Sequence, residues 1–335
     1  MRLVFSFILL ATFCFLKPAD KTPREFIING VAQGTTYHII YFAKDSGIRK
    51  SQFDSILNKL DSSLSIYKPY SLISKFNAAK KDLVIDQHFV NVINASLATY
   101  KATNGLFDIT VEPLVEAWGF AAKHIDSIPD SAKINSLLQC IGSNHLSLKK
   151  NVLTKSKSCI KIDVNGIAQG YSVDVIANFI EQQGINNYLV ELGGEIRAKG
   201  KKLPSNDKLK VGIESPTDDE LEAGIMQQVI ELDSGAITTS GNYRKYYESN
   251  GKKISHLIDP RSGYSIQNEM ISATVYAKDA TTADAFDNAL MVMGVDSALH
   301  FADARKDIAA YFIYKKTDGS VADTATTKFY KLMHP

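Results

Sequence analysis

Strand-like and helix-like stretches follow one another along this chain without a steady alternation, and that irregular order constrains the fold most. Residues 26–43 read as two strands around Gln33-Gly34, rich in Ile, Thr and Tyr. Phe53, Ile56, Leu57, Leu60 and Leu64 then recur at helical spacing. Residues 88–103 form a second helix closed by Asn104-Gly105, and 130–139 a third. Strands follow at 146–148 and 160–164, a helix at 168–183 stopped by Gly184, and a strand at 188–192 ending at Gly193-Gly194. Short strands are predicted at 209–213, 227–232 and 254–258, and stronger ones at 271–277 and 308–314; a helix over 283–293 stops at Gly294. Such a mixture favours α+β, mixed sheets flanked by helices, over a doubly wound parallel sheet.

The first twenty residues stand outside this pattern. Arg2 precedes an apolar stretch from Leu3 to Leu16, followed by Lys17-Pro18. This is the layout of an export signal, and it is short for a spanning helix of about 20 residues. No small-x-small pair marks a cleavage site before Asp20. Cys14 occupies a place a lipid-anchored cysteine could take, but the bulky Phe13 argues against it, and an uncleaved anchor stays open. Residues 1–20 are therefore read as a signal peptide or a membrane or lipid anchor, and 26–335 as one catalytic unit. Cys140 and Cys159 are the other two cysteines. They either pair, as an oxidising compartment would allow, or sit as two small buried hydrophobes.

Composition excludes several classes. With 45% hydrophobic residues among 335, the chain can bury a large core and is not disordered. Its net charge is +2 with no basic run, so nucleic acid has no electrostatic footprint here. There is no phosphate-loop motif, no G-x-G-x-x-G, no nucleophile elbow, no H-E-x-x-H and no C-x-x-C. The Gly pair in "ELGGE" reads as a tight strand-end turn.

Five stretches carry candidate chemistry. "KIDVNGIAQGYSVD" ends an apolar run at Asp163 and crosses Asn165-Gly166 directly into a helix. "LSIYKPYS" places Tyr67 just past a helix, where it can stack on a planar ligand or simply pack. "TNGLFDITV" sets Asp108 beside Phe107 after a Gly stop. "TTSGNYRKYYESNGKKISHLIDPRSGYSI" begins with Thr239-Ser240-Gly241, which can offer hydroxyls and backbone N–H groups to an anion, and carries His256 before an Asp259-Pro260 turn. In "TTADAFDNALMVMG", Asp284 and Asn288 are four residues apart and share a helix face, with Asp287 near. Two such oxygens suit a hard cation, Mg²⁺ for example. The same Thr281-x-x-Asp284 spacing also fits a capping box.

Taken in order, these stretches resemble one family, the FAD:protein FMN transferases, or ApbE family. The likeness runs from Gln33-Gly34-Thr35 through "LSIYKPYSLISKFN", "GLFDITVEPLVEAWGF", "IDVNGIAQGYSVD", "YLVELGGEIRAKG", "TTSGNYRKYY", "SHLIDPRSG" and "ADAFDNALMVMG". The resemblance implies an ApbE-like fold, and FAD as substrate. It implies flavin contacts from Gln33, Tyr67, Leu106, Phe107, Asp108, Asp163, Gln169 and Leu257. It also implies Mg²⁺ on the Gly166 carbonyl with Asp284 and Asn288. His256 is the candidate general base, because its pKa lies near working pH. The implied reaction moves FMN from FAD to a Ser or Thr hydroxyl of an acceptor protein, typically a membrane redox subunit, and releases AMP. An export segment fits an acceptor on the periplasmic side of the inner membrane.

This sequence departs from the family in three places. Gln33 stands where Met is usual, Gln169 where Lys is frequent, and Asn288 where Thr is usual. The changes at Gln169 and Asn288 keep two further classes open, a Mg²⁺-dependent FAD pyrophosphatase yielding FMN and AMP, and a non-catalytic FAD carrier.

Overall fold

A computed structural model describes residues 22–121, 128–214, 226–242, 246–249 and 252–333. The predicted export segment lies outside the described residues. So do parts of the 238–266 stretch, namely 243–245 and 250–251.

An eight-stranded sheet is the frame. Its strands are β1 (Arg24–Ala32), β2 (Thr35–Ala43), β3 (Tyr188–Leu192), β4 (Glu195–Lys199), β5 (Ser234–Gly241), β6 (Met270–Ala277), β7 (Ile308–Lys315) and β8 (Val321–Ala325). Their spatial order is their chain order, and every neighbouring pair is antiparallel. The sheet is thus a meander interrupted by insertions. The β1–β2 reversal is a two-residue turn with φ of 52° at Gln33 and 77° at Gly34, the left-handed pair that a tight hairpin requires.

The longer helices arrive in two groups. Between β2 and β3 come α1 (Lys50–Leu64), α2 (Gln87–Ala102) and α3 (Ala168–Gln182); between β6 and β7 come α4 (Ala280–Met293) and α5 (Val295–Ala304). Alternation along β2 divides the burial. Tyr37, Ile39 and Tyr41 face a core built with Phe53, Leu57, Phe89, Val173 and Ile176 from α1, α2 and α3. Phe42 faces the other way, into a core that includes Leu209, Val211 and Ile230. Those residues belong to a small sheet made by Lys201–Lys202, Asp207–Glu214 and Met226–Leu232. α4 and α5 lie on β6 and β7 through Ala283, Phe286, Leu290, Val275 and Phe312.

This is the mixed α+β architecture that the irregular order of elements predicts. The predicted helices appear at 50–64, 87–102, 131–138, 168–182 and 280–293. Two expectations are corrected. Residues 160–164 form no ladder, because their backbone groups bond elsewhere, as described below. The predicted strand at 254–258 is Lys252–Ser255, with Ile258 making only an isolated bridge to Ser265. Cys140 and Cys159 form a disulfide with Cα atoms 5.7 Å apart. Among the described residues, no helix is long and apolar enough to cross a membrane.

Candidate functional site

Residues 160–170 pass through the centre of the site. The segment before Asp163 is extended but pairs with side chains instead of a strand. Asn77 Nδ2 donates to the Ile162 carbonyl (2.9 Å), and the Ile162 N–H donates to Asn77 Oδ1 (2.8 Å). The Asp163 N–H donates to the Ile109 carbonyl at 2.7 Å. Beyond it the chain turns on the carboxylate, as the Asn165 N–H donates to Asp163 Oδ1 (2.8 Å) and Asn165 Nδ2 reaches Oδ2 (3.3 Å). Asp163 is only 8% exposed, and burial pushes its carboxyl up to about 6 against the pull of the Asn165 bonds. Asn165 Nδ2 also lies 3.3 Å from the Tyr67 hydroxyl. Tyr67 itself is 58% exposed, so its ring is presented, not packed.

α3 begins at Ala168 and lies against α4 at an unusually close approach. A Cβ at Gly170 would sit 2.3 Å from the Ala280 carbonyl oxygen and 2.7 Å from Asp284 Cβ. Only glycine allows this contact. It lets the Gly170 N–H donate to Asp284 Oδ2 at 2.8 Å. Asp284 is buried, and its carboxyl is raised to about 7 by burial first and by the nearby Asp174 charge. Asp287 is buried beside it and is raised well above the usual range by burial and by Asp284. Asn288 Nδ2 points among oxygens of this cluster. It is 2.9 Å from Asp287 Oδ1, 3.0 Å from the Asp284 carbonyl, and 3.5 Å from both Asp284 Oδ1 and the Gly166 carbonyl. Its Oδ1 accepts from Ser240 Oγ at 3.4 Å. A single neutral amide N–H₂ thus faces an electron-rich pocket that a divalent cation would satisfy better.

Gly166, Asp284 and Asn288 are therefore brought together, as the sequence predicts. Among the described residues, no three His, Cys, Asp or Glu side chains converge as a metal site. A cation here would rest on one backbone carbonyl, one carboxylate and, once the Asn288 amide turns over so that Oδ1 takes the place of Nδ2, one amide oxygen. These are hard oxygen donors, so the residues fit Mg²⁺.

The remaining predicted residues make contacts of their own. Gln169 Nε2 lies against Gly193 at the β3–β4 turn. Gln33, at the β1–β2 turn, donates through Nε2 to Ser172 Oγ on α3 (2.9 Å). Leu106 is half-buried and Phe107 buried. Asp108 is hydrogen-bonded within the protein through both oxygens. Its Oδ1 accepts from the Thr110 N–H, Thr110 Oγ1 and Ser143 Oγ, and its Oδ2 from the Ser143 N–H. Burial nevertheless holds its carboxyl above the usual range. His256 is half-buried with its ring edge-on to Phe120 at 6.2 Å. Leu257 joins the apolar cluster of Ala283, Phe286 and Leu290, which docks the His256 turn onto α4.

Two local readings change. Asp284 does not cap α4. The cap is Asp279, which accepts from the Thr282 N–H, and Thr281 donates instead to Asp174 through both its N–H and its hydroxyl. Thr239-Ser240-Gly241 is not an anion loop but the end of β5, paired to β6, so its backbone is largely occupied. Sequence reasoning missed Asp174, which holds the first turn of α4 and the Arg197 guanidinium (2.9 Å), and Gly170. A glycine inside a helical pattern was the signal for the second. A cleft of about 610 Å³ lies apart from the site, along α1 and the start of α2, and none of the predicted residues line it.

The ApbE family matches residues 33–312. The FAD:protein FMN transferase of Vibrio cholerae serotype O1 is 34% identical over 317 residues, which cover 92% of this chain and 93% of that one. That of Escherichia coli K12 is 32% identical over 331 residues, 92% of each. Among solved structures, the flavin transferase ApbE of Vibrio cholerae superposes with a TM-score of 0.82 at 32% identity, over 92% of this chain and 99% of that one. The flavinyl transferase ApbE of Pseudomonas stutzeri, in its apo form, gives 0.84 at 31% identity, over 94% and 98%. With the family matching residues 33–312 and relatives above 30% identity covering 92% of the chain, this chain belongs to the ApbE family.

Proposed function

We propose that this chain transfers FMN from FAD to a Ser or Thr hydroxyl of an acceptor protein, releases AMP, and depends on Mg²⁺. The observation that carries the reading is the gathering of Tyr67, Asp163, Gly166, Asp284 and Asn288 into one site, in a chain matched nearly end to end by FAD:protein FMN transferases.

Each residue has a physical task. Tyr67 offers an exposed ring to the flat isoalloxazine. Asp163, largely desolvated, accepts from ligand N–H or O–H groups without a competing cation. The Gly166 carbonyl, Asp284 and, with its amide turned over, Asn288 Oδ1 would hold the Mg²⁺, which would supply charge neutralisation of the pyrophosphate and of the departing AMP. In the transfer, the acceptor hydroxyl oxygen bonds to the FMN phosphorus. The bond from that phosphorus to the bridging oxygen breaks, and AMP leaves with that oxygen. His256 takes the hydroxyl proton. Leu257 anchors the His256 turn on α4.

Export completes the reading. The apolar segment at residues 3–16 and the Cys140–Cys159 bridge both support an oxidising compartment, where a membrane redox subunit would present its acceptor hydroxyl outward.

A Mg²⁺ titration of AMP release, with FAD and an acceptor peptide present, tests the proposal. Asn288→Leu removes one donor oxygen and should shift the half-saturating Mg²⁺ upward, while Asn288→Thr should keep activity. An unchanged titration for Asn288→Leu would remove Asn288 from the ligand set. Free FMN appearing with AMP, and none on the acceptor, would select the pyrophosphatase. FAD bound without AMP release would select the carrier.

A further inference from the structure

Among the described residues, Lys155 is the one lysine in the buried core, 1% exposed, at the end of the strand Val152–Lys155. Its Nζ donates to three backbone carbonyls, those of Ile160 (2.8 Å), Phe76 (3.1 Å) and Asn77 (3.3 Å), and stands 5.0 Å from the centre of the Phe76 ring. Burying an ammonium is costly unless its donors are satisfied, and here three carbonyls do so. Two of these end the short helix Leu72–Ala78, where a cation also meets the negative end of the backbone dipoles.

The third, Ile160, opens the segment that leads to Asp163. Asn77, from the same helix, holds Ile162 by both of its backbone groups. Lys155 and Asn77 thus clamp the helix Leu72–Ala78 to residues 160–162. That helix starts at Ser71, whose Oγ accepts from the Ser74 N–H, and Ser71 follows Tyr67 through two tight turns. The contacts close into a ring. They run from Tyr67 to Ser71, down the helix to Asn77 and Lys155, across to Ile160 and Asp163, and back through Asn165 to the Tyr67 hydroxyl.

We propose that Lys155 and Asn77 are positioning residues for the flavin, fixing the Tyr67 turn relative to Asp163. Neither side chain reaches the site itself. Without the clamp, the two halves would be registered by apolar packing of Ile73 and Phe76 in the core that also holds Ile160 and Ile162, and by the long 3.3 Å contact from Asn165. Loss of the clamp should weaken FAD capture and leave the chemical step nearly intact, since Asp284, Asn288 and His256 sit on other elements. This inference rests on FAD occupying the site proposed above.

Flavin fluorescence titration of the full chain with FAD tests it, alongside AMP release at saturating FAD. Lys155→Met should weaken FAD binding about tenfold or more, with the maximal rate within about twofold of wild type. Lys155→Arg, which keeps charge and donors, should recover part of the affinity. In a Tyr67→Ala background, Lys155→Met should add less than about threefold, because the two act through one contact. Should Lys155→Met fail to fold, Asn77→Ser opens the same clamp and is read in the same way. Wild-type affinity in a folded variant overturns the proposal. So does an equal loss in both backgrounds, which would mark a general loosening. If the wild-type chain takes up no FAD at all, the functional reading falls and this inference falls with it.

Discussion

Gly170 sits in the third position of α3, where helix propensity alone favours alanine by about 1 kcal/mol. The packing predicts the opposite outcome for Gly170→Ala. The new methyl would lie 2.3 Å from the Ala280 carbonyl oxygen, against a backbone that cannot rotate away. α3 and α4 would have to part by several tenths of an ångström or more, and overpacking of this kind costs about 1–3 kcal/mol. The shift would also stretch the 2.8 Å bond from the Gly170 N–H to buried Asp284, whose loss costs about 1–3 kcal/mol. The penalties outweigh the propensity gain and leave a net loss of about 2 kcal/mol, or roughly 3 °C in Tm for a chain of this size. Thermal unfolding of wild type and Gly170→Ala measures the loss. A Mg²⁺ titration of the folded variant should show weaker binding, because Asp284 moves with α4. A raised Tm with unchanged Mg²⁺ binding would mean that propensity decides at this position and that the close approach is not required.

Three other outcomes follow from named groups. His256→Asn should slow AMP release by about 10²- to 10⁴-fold at saturating FAD while FAD affinity stays near wild type; a rate within about twofold would remove His256 as the base. Asp163 holds its proton more tightly in the folded chain, at about 6, than in the unfolded one. Its contribution is therefore fully present below about pH 4 and is lost as pH rises through about 6, on the order of 3 kcal/mol. In ligand-free protein, the stability gap between Asp163→Asn and wild type, followed by urea unfolding from pH 4 to 7, should move in favour of the variant as pH rises; a constant gap would contradict the shift. Reduction of the Cys140–Cys159 bridge, which spans 19 residues, should lower unfolding stability by about 3 kcal/mol; urea midpoints with and without reductant check this, and identical midpoints would show that the bridge adds nothing.

The sequence made the elements and most of the site legible, for different reasons. Long periodic helices such as α1 and α2 announce themselves, because half-buried helices need an apolar stripe. The i, i+4 pair Asp284 and Asn288 was readable for the same reason, since helical geometry alone puts both on one face. Its alternative, a capping box, fell because the helix begins earlier, at Ala280, with Asp279 as cap. Apolar content at 160–164 resembled a strand, yet nothing local could reveal that Asn77, more than eighty residues away, would take its hydrogen bonds. β5 was missed because "SGAITTSG" carries the Gly and Ser of a turn, and its strand state comes from its neighbours β4 and β6. Asp108, which the resemblance marks as a flavin contact, also binds its own surroundings, with both oxygens accepting from Thr110 and Ser143, partners that no local pattern reveals.

The account's central claim is transfer of the flavin phosphate to a protein hydroxyl, and intact-mass measurement tests it most directly. The purified chain is mixed with FAD, Mg²⁺ and a domain bearing a candidate Ser or Thr acceptor motif. The acceptor's mass and the AMP released are then followed together. The account predicts one FMN added per acceptor, one AMP released for each, and no addition when the acceptor residue is replaced by Ala. AMP accumulating with free FMN, while the intact acceptor gains no mass, would contradict it.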